Sequence, residues 1–271
     1  MENLGEMKLG GLLKNLVYHS DFCDQHVKPV QKMVINNQVV CPRCESEKST
    51  KKLEKETTAY FEQMELDRKY SNLKTKSIIE DETLIDARLE NFTEKCEEEK
   101  VNKATVLECL ERFKQGEVFN LVLQGKQGTG KSHLAYSALW ELNETKKYSC
   151  LFVSVDAMIR KIKNSFNDKG NMYTEEYFNR LLSEANYLVL DDLGAETGAI
   201  NTDKAATDFV QRVLYGVTNS RQNKVTILTT NLSSESLYSM YDKKLVSRLM
   251  KRPKVVMFKE SKDKRISNLP F

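Results

Sequence analysis

The stretch that most constrains this chain is GKQGTGKS, residues 125–132. It has the form Gly-x4-Gly-Lys-Ser, with an apolar run ahead of it and a helix-favouring segment behind it. Glycines at 125, 128 and 130 let successive backbone N–H groups turn towards one point. The amino end of the following helix adds its dipole, so the turn is suited to phosphate oxygens. A strand must end before such a turn and a helix must start in it, which commits the second half of the chain to alternating strands and helices.

The remaining sequence follows that pattern. Short apolar runs, VFNLVLQG, CLFVSV, YLVLDDLG, VTILTTN and KVVMF, alternate with longer segments of helical spacing, one of them starting near Asp203. Fully apolar strands of this length indicate a parallel sheet covered by helices on both faces. The expected ATP contacts are Gly125, Lys126, Gln127, Gly128, Thr129, Gly130, Lys131 and Ser132, with His133 behind them. Lys131 would reach the β- and γ-phosphates, and Ser132 would place its hydroxyl on Mg²⁺.

YLVLDD ends an apolar strand in paired carboxylates, about 60 residues after the phosphate turn. Asp191 is the expected Mg²⁺-side acid, and Asp192 stands where a group would polarise the attacking water. CLFVSV lies between the phosphate turn and this acidic strand. That extra strand indicates the branch of P-loop proteins that includes AAA+ and RecA-like ATPases. VTILTTN ends in Thr229, Thr230 and Asn231, and a polar side chain there, Asn231 above all, would contact the γ-phosphate or the water.

The succession LENF, GKQGTGKSHLAYSA, YLVLDDLGAE, TILTTN and LVSRLM…DKR resembles the AAA+ ATPases that load replicative helicases, the DnaC/DnaI type. The resemblance covers roughly Asp81 to Phe271, and the IstB-type transposition ATPases share much of it. It implies an AAA+ P-loop fold and a role for two arginines. Arg248, in SRLM, would act as an arginine finger on the γ-phosphate of a neighbouring subunit, and Arg265, in SKDKR, as a sensor on the nucleotide of its own subunit. Many AAA+ enzymes carry Glu where Asp192 stands. The shorter side chain implies slow, partner-stimulated hydrolysis, as suits an assembly switch.

The first half differs. Cys23-x2-His26 and Cys41-x2-Cys44 are separated by 14 residues, a zinc-site spacing. Four protein ligands leave no open position, so the metal would be structural and would let a segment too small for its own core fold. His19 is a second candidate for the histidine position, and the spacing favours His26. Cys96, Cys109 and Cys150 read as packing residues. From Glu45 to Gln115 there is no glycine or proline, which reads as a helical connector, with a charged linker the alternative around Lys69 to Ser77. The expected division is a zinc-binding helicase-interaction domain over 1–50, a helical linker over 51–80 and the ATPase over 81–271. Loaders of the DnaI type carry a zinc-containing amino-terminal domain, so the resemblance implies that this part grips a hexameric replicative helicase of the DnaB family.

A net charge of only +3 does not by itself argue for nucleic acid. Lys243 to Arg265, with ten Lys or Arg against two acids, is a stretch that would either track phosphates or form a solvated charged face. Lys161, Lys163 and Phe166 would meet a single strand by charge and stacking, although Phe166 reads more readily as core. No apolar run approaches the roughly 20 residues that span a bilayer, and no export signal is read, so the expected location is cytoplasmic. The expected function is ATP-dependent loading of the helicase onto single-stranded DNA, with nucleotide-dependent self-association. A transposition ATPase and a weakly hydrolysing decoy that occupies the helicase or its loader are the alternatives.

Overall fold

The computed structural model describes residues 17–168, 170–197 and 205–265, in two compact units that divide between Met64 and Glu65. The first unit opens with an antiparallel meander of β1 (Val17–Cys23), β2 (Val30–Ile35) and β3 (Gln38–Val40). Asn36 and Asn37 join β2 to β3 with φ of 50° and 63°, the left-handed pair that a tight hairpin turn requires and that Asn tolerates. The sequence carried no expectation of this sheet. Helix α1 (Pro42–Thr75) then starts on a proline, whose fixed φ suits the first helical position. It is helical through Lys69 to Thr75, where a charged linker was the alternative, and continues across the division into the second unit.

The second unit is a five-stranded parallel sheet in the order β5-β6-β7-β4-β8. Its strands are β4 (Asn120–Gly125), β5 (Cys150–Ser154), β6 (Tyr187–Leu193), β7 (Val225–Thr230) and β8 (Pro253–Phe258). Successive residues alternate between two cores: Leu121, Leu123, Val189 and Ile227 join one, and Val122, Leu188, Leu190 and Leu228 join the other. Helices α2 (Glu97–Lys114) and α3 (Lys131–Glu144) cover the first face. Helices α4 (Val155–Ser165), α5 (Glu175–Glu184), α6 (Asp208–Ser220), α7 (Ser234–Met240) and α8 (Lys243–Leu249) cover the second. The start expected near Asp203 lies outside the described residues; the described helix begins after Thr207, whose hydroxyl caps Val210 N–H. The open edge beside β5 is closed by Ile78, which exchanges backbone hydrogen bonds with Phe152 and Ser154. At the other edge β8 is covered on one face only, so Val255 and Met257 remain exposed where a doubly buried strand was expected.

Every strand ends at the same side of the sheet as the phosphate turn, because all run parallel. That shared carboxyl edge gathers the candidate residues.

Candidate functional site

The turn between β4 and α3 has the conformation its glycines permit. Gly128 and Gly130 take φ of 71° and 93°. A methyl group on Gly128 would overlap the Asp263 carboxylate, and one on Gly130 would come within 2.7 Å of the Phe92 ring. Lys131, only 5% exposed, donates to Lys126 O at 2.6 Å and to Asn231 Oδ1 at 2.8 Å. Burial lowers its pKa to about 8 against the opposing pull of Asp192 and Asp191, so the ammonium stays charged at neutral pH. Thr129 is buried and ties its hydroxyl to Lys126 O, bracing the turn.

The acids sit where the pairing of β6 with β7 shifts register, between Leu190 and Leu193. Irregularities of this kind re-aim side chains at strand ends. Asp191 stays buried, accepts from Thr229 Oγ1 at 2.6 Å and is also bonded by the Ser132 hydroxyl. Asp192, in the left-handed region at φ 57°, swings out to solvent. Its N–H donates to the same Thr229 oxygen at 2.9 Å. Asn231 donates to Asp192 Oδ1 at 3.4 Å while accepting from Lys131. Thr229 therefore fixes the Asp191 carboxylate and the Asp192 backbone together, a specific role that the sequence did not assign to it. The only signal was a pair of hydroxyls at the end of an otherwise apolar strand.

Burial pushes the Asp191 carboxyl up to about 6 although Thr229 and Ser132 oppose it. The folded state thus holds a proton there that the unfolded chain, near 3.8, releases, and stability from this group falls as pH rises from about 4 to about 6. Asp191→Asn is expected to raise the unfolding free energy of the nucleotide-free chain by about 1–3 kcal/mol above pH ~6, with the advantage vanishing towards pH ~4. Urea denaturation across that range checks it; a variant less stable at pH 7 would contradict the reading.

A cavity of about 440 Å³ adjoins the turn. Gly128, Gly130, Lys131, Ser132 and His133 line one side, Asp192 and Asn231 another, and Arg265 reaches in from the end of the described chain. Asp81, Thr83 and Phe92, from the segment ahead of α2, close it. The sequence assigned these three no role. Phe92 is buried, with the Lys264 ammonium 3.8 Å from its ring centre and the His133 ring 5.5 Å away. His133 Nε2 lies 3.0 Å from Arg88 O, and burial lowers its pKa, favouring the neutral ring. Arg265 pairs loosely with Asp81 at 3.9 Å.

Four other predicted residues, Arg248, Lys161, Lys163 and Phe166, lie away from the cavity. Arg248, on α8, rests its guanidinium 4.3 Å over the Tyr215 ring and donates to Asn219 Oδ1 at 3.2 Å. Lys161 and Lys163 lie on α4, the former 4.6 Å from the Tyr173 ring centre. Phe166 is not core: α4 ends at Ser165, the chain turns, and the ring stays 62% exposed with its edge on Phe209. Cys109 and Cys150 are buried packing residues as expected, whereas Cys96 is half-buried at the head of α2.

In the first unit Cys23, His26, Cys41 and Cys44 bring their ligand atoms within 4.8 Å of one another. Cys23 and Cys44 sulfurs are 3.8 Å apart, and His26 Nε2 is 3.4 Å and 3.3 Å from the sulfurs of Cys41 and Cys44. A tetrahedron with Zn–S near 2.3 Å and Zn–N near 2.05 Å has edges of about 3.8 Å and 3.5 Å, so the donor set fits Zn²⁺. Glu47 stands 3.8 Å from the other ring nitrogen, the side from which a carboxylate orients a metal-bound imidazole. His19 is not part of this cluster.

A family profile described as IstB-like ATP binding protein matches residues 67–262. The replicative helicase loader DnaC of Escherichia coli (strain K12) is 26% identical over 160 residues, 59% of this chain and 61% of that protein. The replicative helicase loader DnaI of Bacillus subtilis (strain 168) is 39% identical over 77 residues, 28% of this chain and 23% of that protein. The chain thus spans at most about three fifths of these relatives. Among solved structures, that of the DnaC helicase loader superposes with a TM-score of 0.55 at 24% identity, covering 65% of this chain and 99% of that one. AMPPCP-bound DnaA from Aquifex aeolicus gives 0.52 at 23%, covering 66% and 52%. At these identities the structural likeness is one of fold, the AAA+ parallel sheet. Among the described residues no helix is long and apolar enough to cross a membrane. The profile covers well over half of the sequence and the phosphate turn lies inside it, so the chain belongs to the IstB-like ATP-binding family.

Proposed function

We propose that the chain is an ATPase that loads a hexameric replicative helicase of the DnaB family onto single-stranded DNA. Residues 1–50 would be the zinc-stabilised hand on the helicase, 51–80 the linker and 81–271 the nucleotide switch. One observation supports this above the rest: Lys131, Ser132, Asp192, Asn231 and Arg265 line one cavity, with Asp191 bonded to Ser132 beside it, while Arg248 lies outside. Lying outside that cavity is compatible with the finger role that the resemblance implies for Arg248, in which it would serve a neighbour's nucleotide and make association depend on what each subunit holds.

In this reading Lys131 leaves Lys126 O and Asn231 to hold the β- and γ-phosphates. Ser132 and Asp191 hold Mg²⁺, which supplies charge neutralisation at the phosphates. Asp192 orients the water, with Asn231 beside it, and Arg265 steadies the γ-phosphate from within the subunit. Cys23, His26, Cys41 and Cys44 hold a structural Zn²⁺. Lys161, Lys163 and Phe166 face the single strand.

Gel filtration with a DnaB-type helicase, with and without ATP, tests the reading, and absence of a complex in both conditions would sink it. Arg248→Ala should keep ATP affinity within about twofold, yet lose ATP-dependent self-association and roughly 10²–10³ of stimulated turnover. Equal turnover in variant and native chain would remove the finger role. The family profile favours a second reading, an ATPase serving transposition. ATP-dependent filaments on long duplex DNA without any helicase complex would select it. A decoy, in which Asp192 holds water too poorly for turnover, would bind the helicase yet hydrolyse nothing even with single-stranded DNA present.

A further inference from the structure

The basic stretch from Lys243 to Arg265 is not one patch in three dimensions. β8 carries the chain across the sheet, leaving Lys259 to Arg265 near the phosphate turn and Lys243 to Lys254 at the opposite, amino edge. That edge is roughly 17–20 Å away, the length of a six-residue strand. A cavity of about 150 Å³ opens there beside Asn120, the first residue of β4. Five cations line it, Arg221, Lys224, Arg248, Lys251 and Arg252, and no carboxylate does. A second, wider cavity of about 570 Å³ shares Arg252 with it and adds Arg112 and Lys254. The one acid there, Glu117, is already held by Arg112 through contacts of 2.7 Å and 3.1 Å.

Arg221 builds a cation into this edge, although burial lowers its pKa to about 9. It is 3% exposed, and its guanidinium donates to the carbonyls of Leu182, Ala185, Asn186 and Val225 and to Thr226 Oγ1. Its neutralisation comes from carbonyl dipoles, largely those at the end of α5, and not from an anion. Its charge lowers the pKa of Lys224 beyond the effect of burial, as expected where like charges crowd. Lys224 and Lys251 are steered by backbone carbonyls, at 2.5 Å to Ser183 O and 2.7 Å to Gln222 O, and Arg252 is exposed.

We propose that this amino edge is a second nucleic-acid surface that takes successive phosphates of a DNA backbone, remote from Lys161 and Lys163. Two adjoining cavities joined through Arg252 form a track, which suits a polyanion better than a single phosphate group. Phe119, the one aromatic ring among the residues lining the two cavities, is buried. The surface therefore reads backbone and not bases, and takes single strand and duplex alike. This inference does not rest on the helicase-loading reading.

The test is fluorescence anisotropy of a labelled single strand and of its duplex, titrated with the full chain over a salt series. The triple variant Lys251→Gln/Arg252→Gln/Lys254→Gln, which leaves Arg248 and Arg221 in place, is compared with Lys161→Gln/Lys163→Gln. The triple variant should bind both DNAs about tenfold more weakly near 0.1 M salt, with the slope of log K against log salt shallower by about 2. The slope loss should add to that of the pair. An unchanged slope overturns the proposal, as does a native chain that binds no DNA. Intact DNA binding with lost ATP-dependent self-association also overturns it, and would make this edge a contact between subunits. Equal melting temperatures of native and triple variant confirm that the fold is preserved.

Discussion

Lys131→Ala should bind MgATP roughly 10²–10⁴-fold more weakly than the native chain while folding at least as well. The loss follows from charge-assisted hydrogen bonds. The ammonium has two such donors already aimed along the turn, at Lys126 O and Asn231 Oδ1, and phosphate oxygens would exchange for them. Each is worth roughly 1.5–3 kcal/mol when the acceptor is charged. A second loss compounds it: Lys131 offsets the burial that raises the Asp191 carboxyl, so without it that acid holds its proton to higher pH and grips Mg²⁺ less well. Folding is affected differently. Burial has lowered the Lys131 pKa to about 8, so the native chain without nucleotide bears a desolvated cation that alanine removes. Melting curves separate the two effects. Without nucleotide the variant should melt at the native temperature or above. With MgATP at a hundred times its dissociation constant, the native chain gains about 2.7 kcal/mol and the variant almost nothing. An equal nucleotide-induced shift in both would show that Lys131 is not a phosphate ligand.

What could be read from the sequence was what local chemistry forces. The phosphate turn was legible because its glycines at 128 and 130 occupy left-handed conformations that other residues resist. The acidic strand was legible because its two carboxylates follow the phosphate turn by about 60 residues, whereas alone acids often just end strands. The Cys/His cluster was legible because its four members come from two short motifs. What escaped reading depends on partners distant in sequence. Thr229 meets Asp191 and Asp192 across 38 and 37 residues, and Phe92 closes the cavity beneath Lys264 from 172 positions earlier. The register shift that sends Asp191 inward and Asp192 outward is a property of two paired strands, and neither strand announces it alone. Phe166 misled because it continues the spacing of Ile159 and Ile162, both buried, one residue beyond the end of their helix. The basic stretch misled in the opposite sense, since β8 divides what the sequence shows as continuous.

Removing the metal should unfold the zinc segment and leave the ATPase unit working. Among the described residues from 17 to 50, the buried apolar side chains are Cys23, Met33 and Cys41, and two of these are ligands. One methionine cannot supply the several kcal/mol that even a small domain needs, whereas a structural zinc site contributes about 10–16 kcal/mol of apparent binding energy at pH 7. The four ligands also come from separate places in the chain: Cys23 ends β1, His26 lies in the β1–β2 turn, Cys41 precedes α1, and Cys44 is in its first turn. A metal held by all four would staple hairpin to helix. Thiol chemistry points the same way. Burial raises the Cys44 thiol, helped by its sulfur neighbours, to about 11, while hydrogen bonds hold Cys41 at about 7 against burial. Three thiols and an imidazole so crowded would settle when a cation takes the thiols as thiolates and the ring nitrogen as a neutral donor. Purified chain should carry one zinc per molecule. Cys41→Ser, or chelation of the native chain, should abolish amide-exchange protection from residue 17 to 41 and open that segment to protease. Helicase binding should fall at least 10²-fold, the loss expected when a binding surface must first fold. MgATP affinity should move by less than about twofold, because the nucleotide cavity lies wholly in the other unit. Retained exchange protection after complete chelation would show that the meander holds itself and that the cluster is a reduced cysteine pair beside an unrelated cysteine and histidine.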